Sequence, residues 1–389
     1  MSLPPSLTPS RSLSPSLSTL SATLASALAL GGCNGSGGGG SSSSPVSPAE
    51  TLEASAPVAV STVSALLQLP PDASGVLDEG LRVPGRSAFR NARLPALEME
   101  ATLRGESRAL SLNLQCGEGG RVAASCDAGE KESRVRASFS GCAFEISSVG
   151  AAELDGVFAA TIADPSYCST GETDPMTAIE ARFSDFTAVI EGDDGSTRRL
   201  RLDLLQSARP AGAGCAIDGE ELTDGVLLLD GKVTIESDDP PIDLVIRADD
   251  LSYELVSGGD PCEATLTVNG RTRVEDRIRD RRYDQAYDDL VLTLAEDAAG
   301  GGCVTIDGAV ENACLGGRIV FRTIDPICFN EDAECPRSGV LEVTPPGGAT
   351  PGRILFTPAG GVEIDVEGDG TVDRTLASCR DADRNLCSR

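Results

Sequence analysis

Residues 97–114, LEMEATLRGESRALSLNL, carry the clearest local pattern of the chain. Apolar residues alternate with polar ones on both sides of Arg104-Gly105-Glu106. Side chains of a β-strand point alternately to the two faces of a sheet, so this alternation is typical of strands with one buried and one solvated face. The stretch therefore predicts an antiparallel hairpin that turns at Gly105.

Three further dipeptides between apolar segments have the composition of tight turns. They are Asp194-Gly195, Asp230-Gly231 and Asn269-Gly270. Such pairs tolerate the positive φ angles that two-residue hairpin turns require. We expect a hairpin at each of them.

A degenerate internal repeat runs through the same part of the chain. Ser184-Asp185-Phe186, Asp249-Asp250-Leu251 and Asp288-Asp289-Leu290 each open an apolar stretch. A cysteine follows each unit, and then comes Asp218-Gly219, Asn269-Gly270 or Asp307-Gly308, respectively. The irregular spacing favours a duplicated hairpin with loops of variable length over a tight solenoid.

The composition favours the same class of fold. The 389 residues include 43 Gly, 23 Pro and no Trp, which is typical of short elements joined by many turns. We predict an all-β fold of antiparallel hairpins, arranged either as an elongated sheet or as two stacked β-sandwich-like domains and stapled by disulfides. Residues 208–214 resemble a linker, which divides the folded part into domains at 58–210 and 211–389. Residues 58–67 fit either a helix or a strand.

The N-terminal segment has the features of a targeting sequence. An apolar run at 17–30 is too short to span a bilayer, and Leu30-Gly31-Gly32-Cys33 follows it. This pattern resembles the lipobox of bacterial lipoproteins. The resemblance implies that residues 1–32 are a cleaved signal peptide, that Cys33 is acylated, and that residues 33–57 are a flexible Gly/Ser/Pro tether. The alternative is a disordered leader that ends at an ordinary cysteine.

The same resemblance implies a location. An acylated Cys33 would anchor the protein in the bacterial cell envelope, and a residue other than aspartate at position 34, here Asn34, implies sorting to the outer membrane. The membrane is then one partner, through the anchor.

The cysteine count agrees with an exported chain. Of the 13 cysteines, 12 remain when Cys33 is set aside. They are Cys116, Cys126, Cys142, Cys168, Cys215, Cys262, Cys303, Cys314, Cys328, Cys335, Cys379 and Cys387. An even number in an exported chain predicts six disulfides, and pairing between sequence neighbours closes the shortest loops. Metal binding is disfavoured because the chain lacks both Cys-x-x-Cys spacing and histidine.

Several function classes are excluded by composition. The formal net charge of -28 makes nucleic acid an unsuitable partner. Without histidine there can be no Ser-His-Asp triad or Cys-His pair. Gly231-Lys232 is followed by Val233 instead of Ser or Thr, so it is no phosphate-binding loop. We expect a protein that is not an enzyme and has no cofactor.

One acidic stretch near the C-terminus resembles a calcium loop. Asp365, Glu367, Asp369 and Asp373 occupy positions 1, 3, 5 and 9 of an EF-hand-like pattern, but Leu376 stands where the bidentate glutamate belongs. The flanking apolar alternation favours a β-hairpin with Gly-Asp-Gly at its tip. A weak calcium site is the alternative.

One basic segment stands out from the acidic background. Six arginines occur within twelve residues: Arg271, Arg273, Arg277, Arg279, Arg281 and Arg282. They could bind an anion such as a lipid phosphate or an acidic glycan. The alternative is a charged strand edge that discourages aggregation.

These observations lead to three expectations for function. The first is a lipid-anchored, non-catalytic β scaffold or surface-binding module of the envelope, whose protein or glycan partner the sequence leaves open. The second is an adhesion or recognition module steadied by calcium. The third is an envelope hydrolase that uses only carboxylates, which would require a concave cluster of two or more buried carboxylates with raised pKa.

Overall fold

The computed structural model of the protein describes twelve segments of the chain. They are residues 109–116, 119–146, 150–170, 176–191, 195–217, 220–238, 241–278, 281–296, 302–312, 316–329, 335–347 and 350–378. The predicted signal peptide and tether, residues 58–67 and the first strand of the 97–114 hairpin lie outside the described residues.

The described residues form sixteen strands and one four-residue helix. The first eight strands are β1 (Ala109–Gln115), β2 (Gly119–Ala128), β3 (Ser133–Ile146), β4 (Gly150–Ile162), β5 (Ile179–Glu191), β6 (Thr197–Ile217), β7 (Glu220–Asp238) and β8 (Pro241–Gly258). The others are β9 (Glu263–Asp276), β10 (Arg281–Glu296), β11 (Gly302–Asn312), β12 (Gly317–Cys328), β13 (Ser338–Thr344), β14 (Gly352–Phe356), β15 (Val362–Asp365) and β16 (Arg374–Leu376). Helix α1 is Tyr167–Thr170.

All sixteen strands belong to one antiparallel sheet. Their order in the sheet is their order in the chain, so every strand pairs with its sequence neighbours. The all-β prediction is confirmed, and of the two predicted arrangements the elongated antiparallel sheet is the one present. Short connections explain this order, because consecutive strands joined by tight loops pair with each other.

Two hydrophobic clusters lie along this sheet. The N-terminal cluster consists of Val135, Cys142, Leu154, Phe158, Ala160, Ile162, Ala181, Phe183, Phe186, Ala188, Leu202 and Leu204. The C-terminal cluster consists of buried residues between Leu227 and Ile364, contributed by β7 to β15. Strands β6 and β7 join the two regions by a continuous ladder of paired residues.

The predicted linker at 208–214 is wrong, because these residues lie inside β6 and pair with β7. Their Ala, Gly and Pro residues mark irregularities of the strand, and the register shifts at Pro210. Proline and glycine are tolerated in strands at such irregular positions. The two hydrophobic clusters nevertheless fall on either side of this segment.

A line of β-bulges crosses the sheet. Asp185, Asp250 and Asp289 have φ angles of 46°, 49° and 47° and lie in the middle of β5, β8 and β10. Each is packed against a glycine of the adjacent strand. A Cβ added at Gly270 would lie 2.3 Å from the carbonyl oxygen of Asp250, and one at Gly308 would lie 2.2 Å from that of Asp289. We call this line of bulges and facing glycines the crease.

Two of the predicted hairpins are wrong, because their dipeptides belong to the crease. Asp230-Gly231 lies inside β7 and Asn269-Gly270 inside β9, so neither forms a turn. Their glycines are needed because the neighbouring backbone approaches closely, which is the second physical use of glycine besides positive φ in turns. The hairpin around Asp194-Gly195 is confirmed, since β5 and β6 pair antiparallel with Glu191 opposite Thr197.

The internal repeat is also explained by the crease. We expected the acidic units of the repeat to open strands. They instead form the bulges within strands β5, β8 and β10. The apolar residue after each bulge is deeply buried, at 2% exposure for Phe186, 1% for Leu251 and 2% for Leu290. Because a bulge re-aims the following side chain, the repeated Asp-Phe or Asp-Leu pair places a large residue in the core. Asn269-Gly270 and Asp307-Gly308 supply facing glycines, whereas residues 218–219 lie outside the described residues.

Four disulfides cross-link the described strands. They are Cys116–Cys142, Cys126–Cys168, Cys215–Cys262 and Cys303–Cys328. Cys335 is also disulfide-bonded, while Cys314, Cys379 and Cys387 lie outside the described residues.

Among the four disulfides of the described strands, pairing between sequence neighbours is correct only for Cys215–Cys262, and the predicted pair Cys379–Cys387 lies outside the described residues. The predicted pairs Cys116–Cys126, Cys142–Cys168, Cys303–Cys314 and Cys328–Cys335 are wrong. Register explains the difference. Cys303 stands directly opposite Cys328 in the β11–β12 ladder, and such proximity decides which sulfurs can meet.

Candidate functional site

The basic segment lies on the face of the sheet that points away from the C-terminal cluster, which we call the outer face. In β9, Thr272 and Val274 are buried, whereas Arg271 and Arg273 alternate with them and reach solvent. Strand alternation therefore brings these arginines together on one face.

Three of the predicted arginines converge on one carboxylate. Arg273 donates a 3.1 Å hydrogen bond from Nε to Oδ2 of Asp284, and a terminal nitrogen of Arg273 lies 3.1 Å from the same oxygen. Arg271 Nε lies 3.7 Å from Oδ1 of Asp284, and a terminal nitrogen of Arg282 lies 3.8 Å from Oδ2. Asp284 thus faces three guanidinium groups, while Asp249 stands opposite Arg271 and Glu275 stands opposite Arg282 in the ladders. Many N–H donors of these arginines remain unused.

The remaining predicted arginines contribute less to this group. Arg277 contacts Glu275 at 3.3 Å and Asp243 at 3.8 Å, so it is balanced by acids. The backbone of Arg281 pairs with Asp276 at the end of the β9–β10 hairpin. Arg279 lies outside the described residues.

The charged-edge interpretation of this segment is wrong. Strand β9 is paired with β8 on one side and with β10 on the other. Strand β10 is in turn paired with β11. The arginines of β9 and β10, which are Arg271, Arg273, Arg281 and Arg282, therefore belong to the interior of the sheet, where there is no free backbone edge to protect.

Two basic residues that the sequence pattern did not single out complete the group. Lys232 of β7 stands directly opposite Arg247 of β8, and Arg247 stands directly opposite Arg273 of β9. We call Lys232, Arg247 and Arg273 the basic row. Asp203 and Asp284 stand at its two ends. Only the register of three neighbouring strands reveals this row, because its members are 15 and 26 residues apart in the sequence.

Within the part of the chain that the structure describes, Lys232 and Arg247 have no carboxylate within ion-pair distance. Arg247 is exposed to solvent and Lys232 is half-buried. Like charges directly opposite each other across strands are destabilising. The row therefore carries an electrostatic cost that an external anion would relieve.

The acidic stretch forms the predicted hairpin. Strands β15 and β16 pair, and the amide of Asp373 donates a 2.9 Å hydrogen bond to the carbonyl oxygen of Ile364 across the base of the loop. The carboxylate of Asp365, which is only 2% exposed, accepts hydrogen bonds from the amides of Gly368 at 2.7 Å and Gly370 at 2.8 Å. Asp373 accepts one from the amide of Val366 at 2.8 Å.

The other two acids of this stretch are at the surface. The backbone amide of Thr371 donates to Asp369, and this hydrogen bond holds the pKa of that carboxyl below its ordinary value. Glu367 is exposed. Nowhere among the described residues do three or more Cys, Asp or Glu side chains gather closely enough to hold a metal ion.

Buried carboxylates are dispersed over the sheet. Asp276 and Asp365 are the described acids with the least exposure, and they lie on β9 and β15. Asp307 on β11 is exposed at its surface, yet partial desolvation raises its pKa, with smaller opposing effects from the Thr323 amide and from Arg322. These three residues lie on three separate strands.

The C-terminal cluster contains two buried tyrosines. The hydroxyl of Tyr287 donates a 2.8 Å hydrogen bond to Gln285, and burial raises the pKa of Tyr287 to about 12. Burial, with a contribution from Tyr287, also raises the pKa of Tyr253, whose hydroxyl has no hydrogen-bond partner among the described residues. These hydroxyls are neutral in the physiological pH range.

Comparison with known proteins finds no relative of this chain. No family model, no curated protein and no solved structure matches it. No helix in the described segments is long and apolar enough to cross a membrane.

Proposed function

We propose that the chain is a lipid-anchored protein of the bacterial envelope, in which the sheet is a non-catalytic scaffold that binds its partner through the outer face. The observation that carries this proposal is the basic row, whose central Arg247 is exposed on a continuous, disulfide-linked sheet.

The construction of the sheet supports a scaffold. Each strand from β2 to β15 is hydrogen-bonded on both sides, so opening any of these strands breaks two ladders. Four disulfides further restrict the unfolded chain, and each is expected to stabilise the fold by about 2–4 kcal/mol. Such a sheet holds surface groups in fixed register.

The distribution of charge supports binding at a surface. The basic row has three cations side by side, with carboxylates only at its two ends, and Arg247 at its centre is exposed to solvent. Arginines in such a group can form bidentate hydrogen bonds with carboxylates, sulfates or phosphates.

The sequence and the disulfides together support an envelope location. The lipobox-like residues Leu30-Gly31-Gly32-Cys33 provide the anchor in this proposal. Disulfides persist in oxidising compartments such as the bacterial periplasm and the cell surface, and are rare in the cytosol. An envelope location is therefore consistent with the presence of disulfides.

The anchor can be tested by expression of the full chain in a bacterium that processes lipoproteins. We expect a mature chain that begins at Cys33, carries acyl mass at that residue, and partitions into detergent. The matched variant Cys33→Ser should keep residues 1–32 or lose the acyl mass, and should leave the detergent phase. A wild-type product that retains Met1 or has a free thiol at residue 33 would contradict the proposal.

A further inference from the structure

We propose that the basic row binds a linear acidic polysaccharide, with one carboxylated sugar over each of the three strands. This inference rests on the proposed function and names the class of partner for the outer face. The ligand is recognised by charge and hydrogen bonds at Lys232, Arg247 and Arg273.

The first step is the unbalanced charge of the row. Its three cations stand directly opposite one another on β7, β8 and β9, and carboxylates occur only at the ends, on β6 and β10. The chain has a formal net charge of -28 and only two lysines, one of which is Lys232. The row is therefore a local cluster of positive charge in a protein whose net charge is negative.

The second step is the supply of donors. Asp284 cannot use all the N–H groups of Arg271, Arg273 and Arg282, because a carboxylate has two oxygens and each guanidinium has five N–H donors. Arg247 directs none of its donors to a described carboxylate. The row can therefore accept carboxylates from outside without losing its internal contacts.

The third step is geometry. Neighbouring strands are about 4.8 Å apart, so the row presents cations at that spacing along a line perpendicular to the strands. A polyuronate carries one carboxylate on every sugar ring, and one ring spans about this distance.

The fourth step separates a polymer from a membrane. An anionic bilayer presents a plane of charge that would also face the acidic residues beside the row, such as Asp249 and Glu275. A single polymer strand can lie along the row alone. At 0.1–0.15 M salt the Debye length is about 8–10 Å, which confines the interaction to the nearest charges.

The experiment measures binding of the oxidised, purified chain to fluorescent polygalacturonate at 0.1 M salt. We expect the double variant Lys232→Gln/Arg247→Gln to bind about tenfold or more weakly, because two charge-assisted contacts are lost. The matched control is Lys131→Gln/Arg182→Gln, which removes one exposed lysine and one exposed arginine elsewhere and has the same net charge. This control should bind like the wild type.

A gain-of-function variant guards against misfolding of the double variant. Asp203→Asn removes the carboxylate opposite Lys232 and should tighten binding by roughly twofold or more, since it deletes a nearby negative charge. Tighter binding of this variant supports the row independently of any loss.

Four results would overturn the inference. They are no binding by the wild type, equal loss in the two double variants, tighter binding to polyglutamate than to polygalacturonate, and binding to anionic phospholipid vesicles without binding to the polysaccharide. Failure here with an acylated Cys33 leaves the envelope anchor intact. Polysaccharide binding by an unacylated chain would instead contradict the anchor alone.

Discussion

The two hydrophobic clusters belong to one sheet, yet they are filled in different ways. The N-terminal cluster has 12 buried residues on four strands and gathers Phe158, Phe183 and Phe186, with Phe139 at its margin. The C-terminal cluster has 24 buried residues spread over nine strands. Among the described residues, ring-to-ring contacts occur only in the N-terminal cluster.

This difference teaches how a chain without tryptophan can bury a core. Phe186 touches Phe139 and Phe183 with ring centroids at 5.8 Å and 5.5 Å, so a few large side chains do most of the filling. The C-terminal cluster contains three phenylalanines and two tyrosines, but among the described residues these rings do not contact one another, and the other 19 of its 24 buried residues are Ala, Val, Leu or Ile. We therefore expect the N-terminal cluster to be more sensitive to the loss of one residue.

The largest expected effect is that of Phe186→Ala. This change should lower the free energy of unfolding by about 4–5 kcal/mol, from the lost burial, the cavity and the two ring contacts. Phe356→Ala in the C-terminal cluster is the matched control and should cost about 3 kcal/mol. Urea unfolding with disulfides intact measures both, and an equal or larger cost at Phe356 would refute the special role of the rings.

The next effect concerns the disulfide nearest the boundary between the clusters. Cys215→Ala/Cys262→Ala opens a loop with a sequence separation of 47 and should destabilise the fold by about 2–4 kcal/mol. Cys303→Ala/Cys328→Ala opens a separation of 25 and should cost slightly less. Thermal unfolding followed by circular dichroism compares the two variants. A larger loss for the shorter loop would show that chain entropy does not set the order.

The crease offers a sharper comparison between two glycines. Gly270→Ala should cost about 2 kcal/mol or more, because φ is +105° and the new Cβ would lie 2.3 Å from the Asp250 carbonyl oxygen. Gly195→Ala in the β5–β6 connection should cost only about 1 kcal/mol, since φ is +80° but nothing lies within 4 Å. Equal losses in urea unfolding would mean that the close approach at Gly270 carries no weight.

A smaller effect is expected from the tyrosines of the C-terminal cluster. Tyr287→Phe should cost about 1 kcal/mol at neutral pH because it removes the hydrogen bond to Gln285. The folded pKa of about 12 exceeds the unfolded pKa of about 10, so wild-type stability should be lost as pH rises from about 10 through 12. Tyr287→Phe should reduce that alkaline loss.

Tyr253→Phe is the control for this prediction. Its hydroxyl is buried without a partner among the described residues, so its removal should be neutral or slightly stabilising at neutral pH. Unfolding midpoints at pH 7 and pH 11 test both variants. A cost at Tyr253 equal to that at Tyr287 would contradict the assignment of the hydrogen bond.

The smallest expected effect is that of calcium on the β15–β16 hairpin. The oxygens of Asp365 already accept backbone hydrogen bonds, so millimolar calcium should leave the melting temperature unchanged. A ligand that binds the folded state selectively must raise its stability by mass action. A calcium-dependent rise in melting temperature that disappears in Asp365→Asn would instead support the calcium-steadied module.

The candidate site was only partly predictable. Arg271, Arg273 and Arg282 stand out in the sequence because they are close together among acids, and they do meet on one face. Lys232 and Arg247 could not be predicted from the sequence, because their place in the row depends on the register of β7, β8 and β9, which is a long-range property. The same dependence made the edge interpretation of the arginines fail.

The sequence by itself determined the class of secondary structure, the cysteine inventory and the sign of the charge. Alternation of apolar and polar residues is local, so it predicts strands without knowledge of their partners. Only the tertiary structure decided that Asp230-Gly231 and Asn269-Gly270 belong to the crease, and which cysteines pair. These outcomes depend on which residues of distant strands face each other, and a sheet register is set by all its strands together.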